Sequence, residues 1–309
     1  MRHFLSVADL DRDRLARLLD AADRLRSNRR DAGVDHRGDL AGRTVVLLFE
    51  KPSTRTRVSF QVAVAELGGH PLALSSQELQ LGRGETLADT AAVLSRYAHA
   101  IVVRTFAQDR VEELAAAAAV PVVNALTDHE HPCQALADLQ TIRAEFGSLR
   151  GVSVAYVGDG NNVAHSLLLA GGLAGMDVRV GHPAGYAPDP GVVEQARTLG
   201  GAVAVTDDPL AAVDGADVVY TDVWVSMGQG DQVDQRRAAF APYQVNADLF
   251  AKAAPRAVFL HCLPAHRGEE VTGEVLDGPA SRVWDQAENR LHTQKALLLA
   301  LLADGDGSG

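Results

Sequence analysis

The sequence predicts an α/β protein of two domains, each a mostly parallel sheet flanked by helices, with an interdomain active-site cleft. Three observations predict it. The chain has 309 residues, and domains run to roughly 150 residues each. Apolar runs of strand length alternate with helix-like segments, the pattern of parallel sheets covered on both faces. A turn-rich break from Gly147 to Gly151 divides that alternation into two series.

Composition narrows the class. With 47% hydrophobic and 22% charged residues, a chain this long can bury a core without disulfide or metal staples. Its two cysteines, Cys133 and Cys262, exclude a disulfide scaffold and suit a reducing, cytoplasmic setting. The formal net charge of −11 argues against nucleic acid as a partner, because phosphates call for a basic surface. No apolar run approaches the roughly 18 residues of a membrane span. Residues Met1 to Asp11 lack the apolar core of a signal peptide.

The elements follow in order. Asp9 is a candidate N-cap for a helix in the first forty residues, with Leu15, Leu18, Leu19, Ala22 and Leu25 at helical spacing. Thr44 to Phe49 reads as a buried strand. Glu50-Lys51-Pro52-Ser53 breaks it, and Ser53 is the N-cap type for a helix with Val58, Val62 and Ala65 on one face, closed by Gly68-Gly69. Strands are expected at 100–104 and 120–125, with a helix at 111–119 between them. A polar loop, Thr127 to Pro132, then leads into a helix from Cys133 to Phe146. The second series has strands at 152–157, 177–180, 203–205, 217–221 and 257–260, and helices at 162–174 and 191–199. A last helix, about 286–302, precedes a Gly/Asp/Ser tail, 303–309, expected to be disordered. The domains are therefore 1–146 and 147–285.

Ligands of such folds sit at the C-terminal ends of the strands. After the first strand, Ser53-Thr54-Arg55-Thr56-Arg57 sets three hydroxyls and two guanidiniums at a helix N-terminus, where free N–H groups and the dipole favour an anion. Arg55 and Arg57, two apart, cannot share a face; Arg55 is the expected ligand contact. Arg104, ending a strand, is a second anion clamp or a surface arginine with its head in water. His131 and Gln134 flank Pro132 at a helix mouth. An imidazole and an amide there can polarise a carbonyl oxygen, or simply cap the loop. His129 and His131 lack the further ligands a metal needs.

In the second series, Gly158-Asp159-Gly160-Asn161-Asn162 half-resembles a dinucleotide fingerprint. Val163 occupies the third glycine position, and Gly181-His182 stands where a ribose-binding acid belongs, so the turn reads as presenting Asn162 to a small anion such as a carboxylate. Asp222, followed by Ser226-Met227-Gly228, can hold an ammonium group or serve as a loop cap. Cys262, in His261-Cys262-Leu263-Pro264, is a contact residue before it is a nucleophile or a metal ligand with His261 or His266. Arg290 is a third clamp or a solvated helix arginine.

Together these motifs resemble the aspartate/ornithine carbamoyltransferase family, ornithine carbamoyltransferases above all. The motifs are Phe49 to Arg57, His131 to Gln134, Asp222 with Ser226-Met227-Gly228, His261 to Pro264, and Glu288 to Lys295. The resemblance implies transfer of a carbamoyl group from carbamoyl phosphate to the side-chain amine of L-ornithine, giving L-citrulline and phosphate, a urea-cycle type of reaction in arginine metabolism. It implies carbamoyl phosphate on Ser53, Thr54, Arg55 and Thr56, with Arg104, His131 and Gln134. Gln80 is implied to reach the phosphate site of a neighbouring subunit in a homotrimer or a multiple of trimers. Cys262, Leu263 and Arg290 are implied to contact the carbamoyl group, and Asn162, Asp222, Ser226 and Met227 to bind ornithine. Arg104, His131, Asp222 and Cys262 are the implied catalytic set, and the last helix is implied to pack on the first domain. No metal or organic cofactor is implied.

Other carbamoyl acceptors, aspartate or putrescine, are the alternative. Aspartate carbamoyltransferases use a lysine from a loop near residues 75–86, and this chain has no lysine between Lys51 and Lys252. Putrescine lacks the carboxylate that Asn162 would hold. A nicotinamide-dependent dehydrogenase would share the paired domains but needs the missing glycine and acid.

Overall fold

The computed structural model describes residues 1–32, 38–75, 84–225 and 233–303. The chain divides into two compact units, Met1–Ala137 with Asn289–Gly309, and Asp138–Glu288. Gln80, Ser226 and Met227 lie outside the described residues, as does 304–309 of the expected tail.

Unit 1 is built on four parallel strands: β1 Thr44–Phe49, β2 His70–Ser75, β3 Ala100–Arg104 and β4 Val122–Leu126. Their order is β2-β1-β3-β4. Alternation along the strands sends Val46, Leu48, Ile101 and Val103 to one face. There they pack on α3 Leu87–Leu94 and α4 Gln108–Ala117. β2 went unpredicted: Pro71 interrupts a short run at the sheet edge, where a missing N–H is tolerated.

Two helix expectations need correction. Ahead of α1 Arg12–Ala32, Asp9 belongs to a separate 3-10 turn, Val7–Asp9, and its carboxylate accepts from Leu5 N and Ser6 N. Asp11 caps α1 instead, accepting from Arg14 N at 2.7 Å. α2 Thr54–Glu66 buries Thr56, Phe60, Ala63 and Val64, while Val58 is 51% exposed and Ala65 faces solvent. The chain carries apolar residues on both sides of that helix, so periodicity alone selected the wrong face. α5 Pro132–Phe146 follows β4.

Unit 2 has five parallel strands: β5 Ser153–Val157, β6 Asp177–Gly181, β7 Ala202–Thr206, β8 Val218–Thr221 and β9 Val258–His261. Their order is β7-β6-β5-β8-β9. α6 Asn162–Ala174 and α7 Pro190–Thr198 pack on each other. α8 Pro209–Val213 packs on β5 and β6. Ala155, Val157, Val219 and Phe259 form a second core with Val213, Tyr243, Val245 and Val271. The short helices α8, α9 Val233–Phe240, α10 Ala247–Phe250 and α11 Gly273–Leu276 were not legible, since four to eight residues give too few turns for periodicity to register.

The last helix, α12 Val283–Ala303, starts three residues earlier than expected and includes Ala303. Its later turns belong to unit 1: Lys295 is paired with Glu66, which also takes Arg29 Nε at 3.0 Å.

Candidate active site

In each sheet the strand order reverses once, between β1 and β3 in unit 1 and between β5 and β8 in unit 2. Loops leaving such a pair diverge and open a crevice at the strands' C-terminal ends. Ser53 to Thr56, Arg104, Asn162 and Asp222 lie at those strand ends, whereas His131 and Gln134 follow β4, Cys262 and Leu263 follow β9, and Arg290 is on α12.

In unit 1, register pairs Phe49 with Arg104, so the start of α2 and the end of β3 are neighbours. Ser53 Oγ caps α2 by accepting from Thr56 N at 3.3 Å. Thr54 and Arg55 are exposed in the same turn, and Thr56 is buried. The β3–β4 register shifts between Val103 and Arg104, an irregularity of the kind that re-aims a side chain. Arg290 on α12 is buried and donates from Nη2 to Thr56 Oγ1 at 2.6 Å. His131 and Gln134 are buried at the start of α5.

His131 is the electrostatic centre of this group. Burial holds its pKa well below the usual 6.5, and the guanidiniums of Arg290, Arg104 and Arg55 lower it further. A neutral imidazole among three arginines can accept or donate a hydrogen bond but adds no charge. Cys133, two residues on, is buried with its thiol pushed up to about 12, so it is a packing residue rather than a nucleophile.

Two supporting networks gave no sequence signal. Glu50 binds Arg110 Nη2 at 2.8 Å and Thr105 Oγ1 at 2.7 Å. Lys51, almost buried, pairs with Asp128 and lies 4.5 Å from the Phe106 ring centre. Both brace the loop between β1 and α2.

In unit 2, β8 and β9 are in register at Thr221 and His261. The next residues, Asp222 and Cys262, therefore emerge side by side, and Cys262 Sγ lies 2.9 Å from Asp222 Oδ1. Val223 N donates to Oδ1 at 2.8 Å, and Asn161 Nδ2 donates to Oδ2 at 2.9 Å. Asn161 was overlooked in favour of Asn162. Its Oδ1 also caps α6, accepting from Val163 N at 3.0 Å and Ala164 N at 3.1 Å. One amide thus starts the helix and orients the acid. Asn162 occupies the first turn, half-buried.

Gly160 is required sterically, because a Cβ there would come within 2.1 Å of Pro188 N. The backbone at Ala187–Pro188 therefore explains Gly160, and Gly158 has a positive φ of 148 that favours glycine. Asp159 pairs with Arg236. Burial pushes the Asp159 carboxyl up even though Arg236 pulls it down. Arg236 also donates to Trp224 O at 2.6 Å. Leu263 has φ 58 and is followed by a cis bond to Pro264.

Among the described residues, two groupings bring possible metal donors within 4.8 Å: Asp222 with His261 and Cys262, and His266 with Glu269 and Glu270. In the first, both His261 ring nitrogens already have partners, Leu263 N and Glu270. Only the carboxylate and the thiol remain, too few to hold a cation tightly.

Comparison with known proteins shows the class, a carbamoyltransferase. The carbamoyl-P binding domain of the aspartate/ornithine carbamoyltransferases matches residues 2–144, and their Asp/Orn binding domain matches 150–301. The chain belongs to the aspartate/ornithine carbamoyltransferase family. It is 61% identical over 305 residues to the ornithine carbamoyltransferase of Parafrankia sp. (strain EAN1pec), covering 97% of this chain and 96% of the relative. It is 58% identical over 313 residues to that of Acidothermus cellulolyticus, covering 100% and 99%. The solved structure of the ornithine carbamoyltransferase from Pyrococcus furiosus is similar with a TM-score of 0.93 at 52% identity, covering 98% of this chain and 97% of that one. No described helix is long and apolar enough to cross a membrane.

Proposed function

We infer that the chain transfers the carbamoyl group of carbamoyl phosphate to the side-chain amine of L-ornithine, releasing L-citrulline and phosphate for arginine biosynthesis. The observation that carries this reading is neutral His131 among Arg55, Arg104 and Arg290. Three guanidiniums and a helix N-terminus suit a phosphate dianion, and a neutral imidazole suits a carbonyl oxygen. Carbamoyl phosphate has both. At 61% and 58% identity over nearly the whole length, relatives named ornithine carbamoyltransferase support ornithine as the acceptor.

Phosphate rests on Ser53, Thr54, Arg55 and Thr56, with Arg104. Gln80 completes its site from a neighbouring subunit of a homotrimer or a multiple of trimers. His131 and Gln134 hold the carbamoyl oxygen and nitrogen; Arg290, anchored to Thr56, adds positive charge as the oxyanion develops. Ornithine's carboxylate lies on Asn162 with Ser226 and Met227. Its side-chain amine, mostly protonated in water like a lysine amine of pKa about 10.4, gives one proton to solvent on binding and meets Asp222 and Cys262 as the neutral amine before attack. The amine nitrogen then bonds to the carbamoyl carbon, the C–O bond to phosphate breaks, and the departing phosphate takes the nitrogen's second proton. Leu263 lies against the carbamoyl group. Positioning and fixed charge suffice for this chemistry without a cofactor. The cytoplasm is the proposed setting.

The test is a colorimetric ureido assay with product identification, using carbamoyl phosphate and a panel of L-ornithine, L-aspartate and putrescine. Citrulline is the expected main product; carbamoyl-aspartate without citrulline would contradict the reading.

A further inference from the structure

His261 and Glu270 are both fully enclosed. His261 Nε2 lies 3.2 Å from Glu270 Oε1, and His261 Nδ1 accepts the Leu263 N–H at 2.8 Å. A nitrogen that accepts carries no proton, so the ring proton sits on Nε2 and points at Glu270. Burial alone would raise the Glu270 carboxyl, but hydrogen bonds from the His261 side chain and from the His266 and Glu270 backbone amides hold it below the usual carboxylate value. Glu270 is therefore an anion, and an anion at Nε2 permits one neutral tautomer.

What that tautomer holds is Leu263. It is the one non-glycine residue with positive φ among the described residues, a conformation unfavourable for a side chain branched beyond Cβ. The bond from its N–H to Nδ1 supports the turn. The other side of Cys262 is also fixed: His261 N donates to Gln286 Oε1 at 2.9 Å. Gln286 Nε2 in turn reaches Asp138 Oδ1 at 2.6 Å and Tyr220 OH at 3.1 Å. Cys262 thus sits between two pinned backbone amides, with Sγ 2.9 Å from Asp222 Oδ1.

We propose that Glu270 and His261 are positioning residues for the reaction. The carboxylate sets the His261 tautomer, and Nδ1 then holds the Leu263 turn that presents Cys262 and Leu263 to the carbamoyl group and the amine. The proposal rests on the role given above to Cys262 and Leu263. It assigns His261 no contact with substrate.

Two variants separate positioning from general packing. His261→Asn places an amide oxygen near the position of Nδ1 but cannot reach Glu270. His261→Gln reaches Glu270 but offers Leu263 no acceptor. The Gln variant should lose about 100-fold in kcat for citrulline formation, the size of a small misplacement of reacting groups, while the Asn variant loses only about fivefold. The KM for carbamoyl phosphate should change less than about threefold in both, because its phosphate is held by unit 1. A Gln variant with wild-type kcat, or an Asn variant no better than Gln, overturns the proposal.

Neutron diffraction from the deuterium-exchanged wild-type chain needs no variant to fold. A deuteron on Nε2 and none on Nδ1 is the expected result; a deuteron on Nδ1 overturns it. A wild-type chain that makes no citrulline would refute the functional reading, while the neutron result still decides the tautomer.

Discussion

His131 ties the stability of the fold to the pH dependence of the site. Its folded pKa lies well below 6.5, through burial and then Arg290, Arg104 and Arg55. The unfolded chain therefore takes up the proton first as pH falls. Stability from this site is complete above about pH 6.5 and is lost progressively below it. His131→Gln should reduce the fall in unfolding free energy between about pH 7 and pH 5, read by urea titration; an unchanged slope would contradict the assignment. Catalysis follows from the same neutrality: the pH profile of kcat should show no limb from His131 between about pH 6 and pH 8. Arg55 is exposed at the first turn of α2, its charge contributes to lowering the His131 pKa, and a charge-assisted bond to phosphate is worth about 1.5–3 kcal/mol. Arg55→Ala should weaken carbamoyl phosphate binding at least tenfold in a calorimetric titration, with stability nearly unchanged. Equal affinity would remove Arg55 from the site.

At the scale of elements, the junctions carry the function, and Asn161 tests this most sharply. It caps α6 through Oδ1 and holds Asp222 through Nδ2. Asn161→Ala should cost about 1 kcal/mol of stability and raise the KM for ornithine. Asn161→Asp keeps the cap but sets a carboxylate against Asp222, so the KM for ornithine should rise with little of the cap's loss. A wild-type KM for ornithine in the Asn161→Asp variant would show that Asn161 matters only as a cap. The same junctions explain what the sequence could and could not disclose. β1 and its following breaker were legible because a fully buried parallel strand is one apolar run ended by Pro52. The α2 start was legible because Ser53 is a capping type and does cap. The buried face of α2 was not, since Val58 and Phe60 are both apolar and only the tertiary structure buries one of them. Asp222 and Cys262 could be nominated separately, but their contact depends on the Thr221–His261 register, a long-range pairing no local pattern encodes. Glu270 is hidden for the same reason: nothing in His-Arg-Gly-Glu-Glu shows that its second glutamate, and not the first, is enclosed.

At the scale of the whole molecule, two sheets of different length use one topological device. Each reverses strand order once, and the proposed ligand residues lie at or beside the C-terminal ends of the strands around that reversal, with Arg290 added from α12. In the proposed site, unit 1 would offer arginines and helix N–H groups to the phosphate, and unit 2 an acid, an amide and a thiol to the amino acid. The proposed trimer belongs to this scale. Light scattering should give a mass near three times 32.7 kDa or a multiple of it, and a stable, fully active monomer would refute a site completed by Gln80 of a neighbour. The central claim is that a neutral imidazole and a cluster of arginines receive the two ends of one small molecule. A crystal structure with a non-hydrolysable phosphonate analogue of carbamoyl phosphate tests it most directly. The phosphonate is expected on the N–H groups of the first turn of α2, beside Arg55 and Arg104, with the carbonyl oxygen hydrogen-bonded to His131. A phosphonate bound away from that turn, or a carbonyl turned from His131, would contradict it.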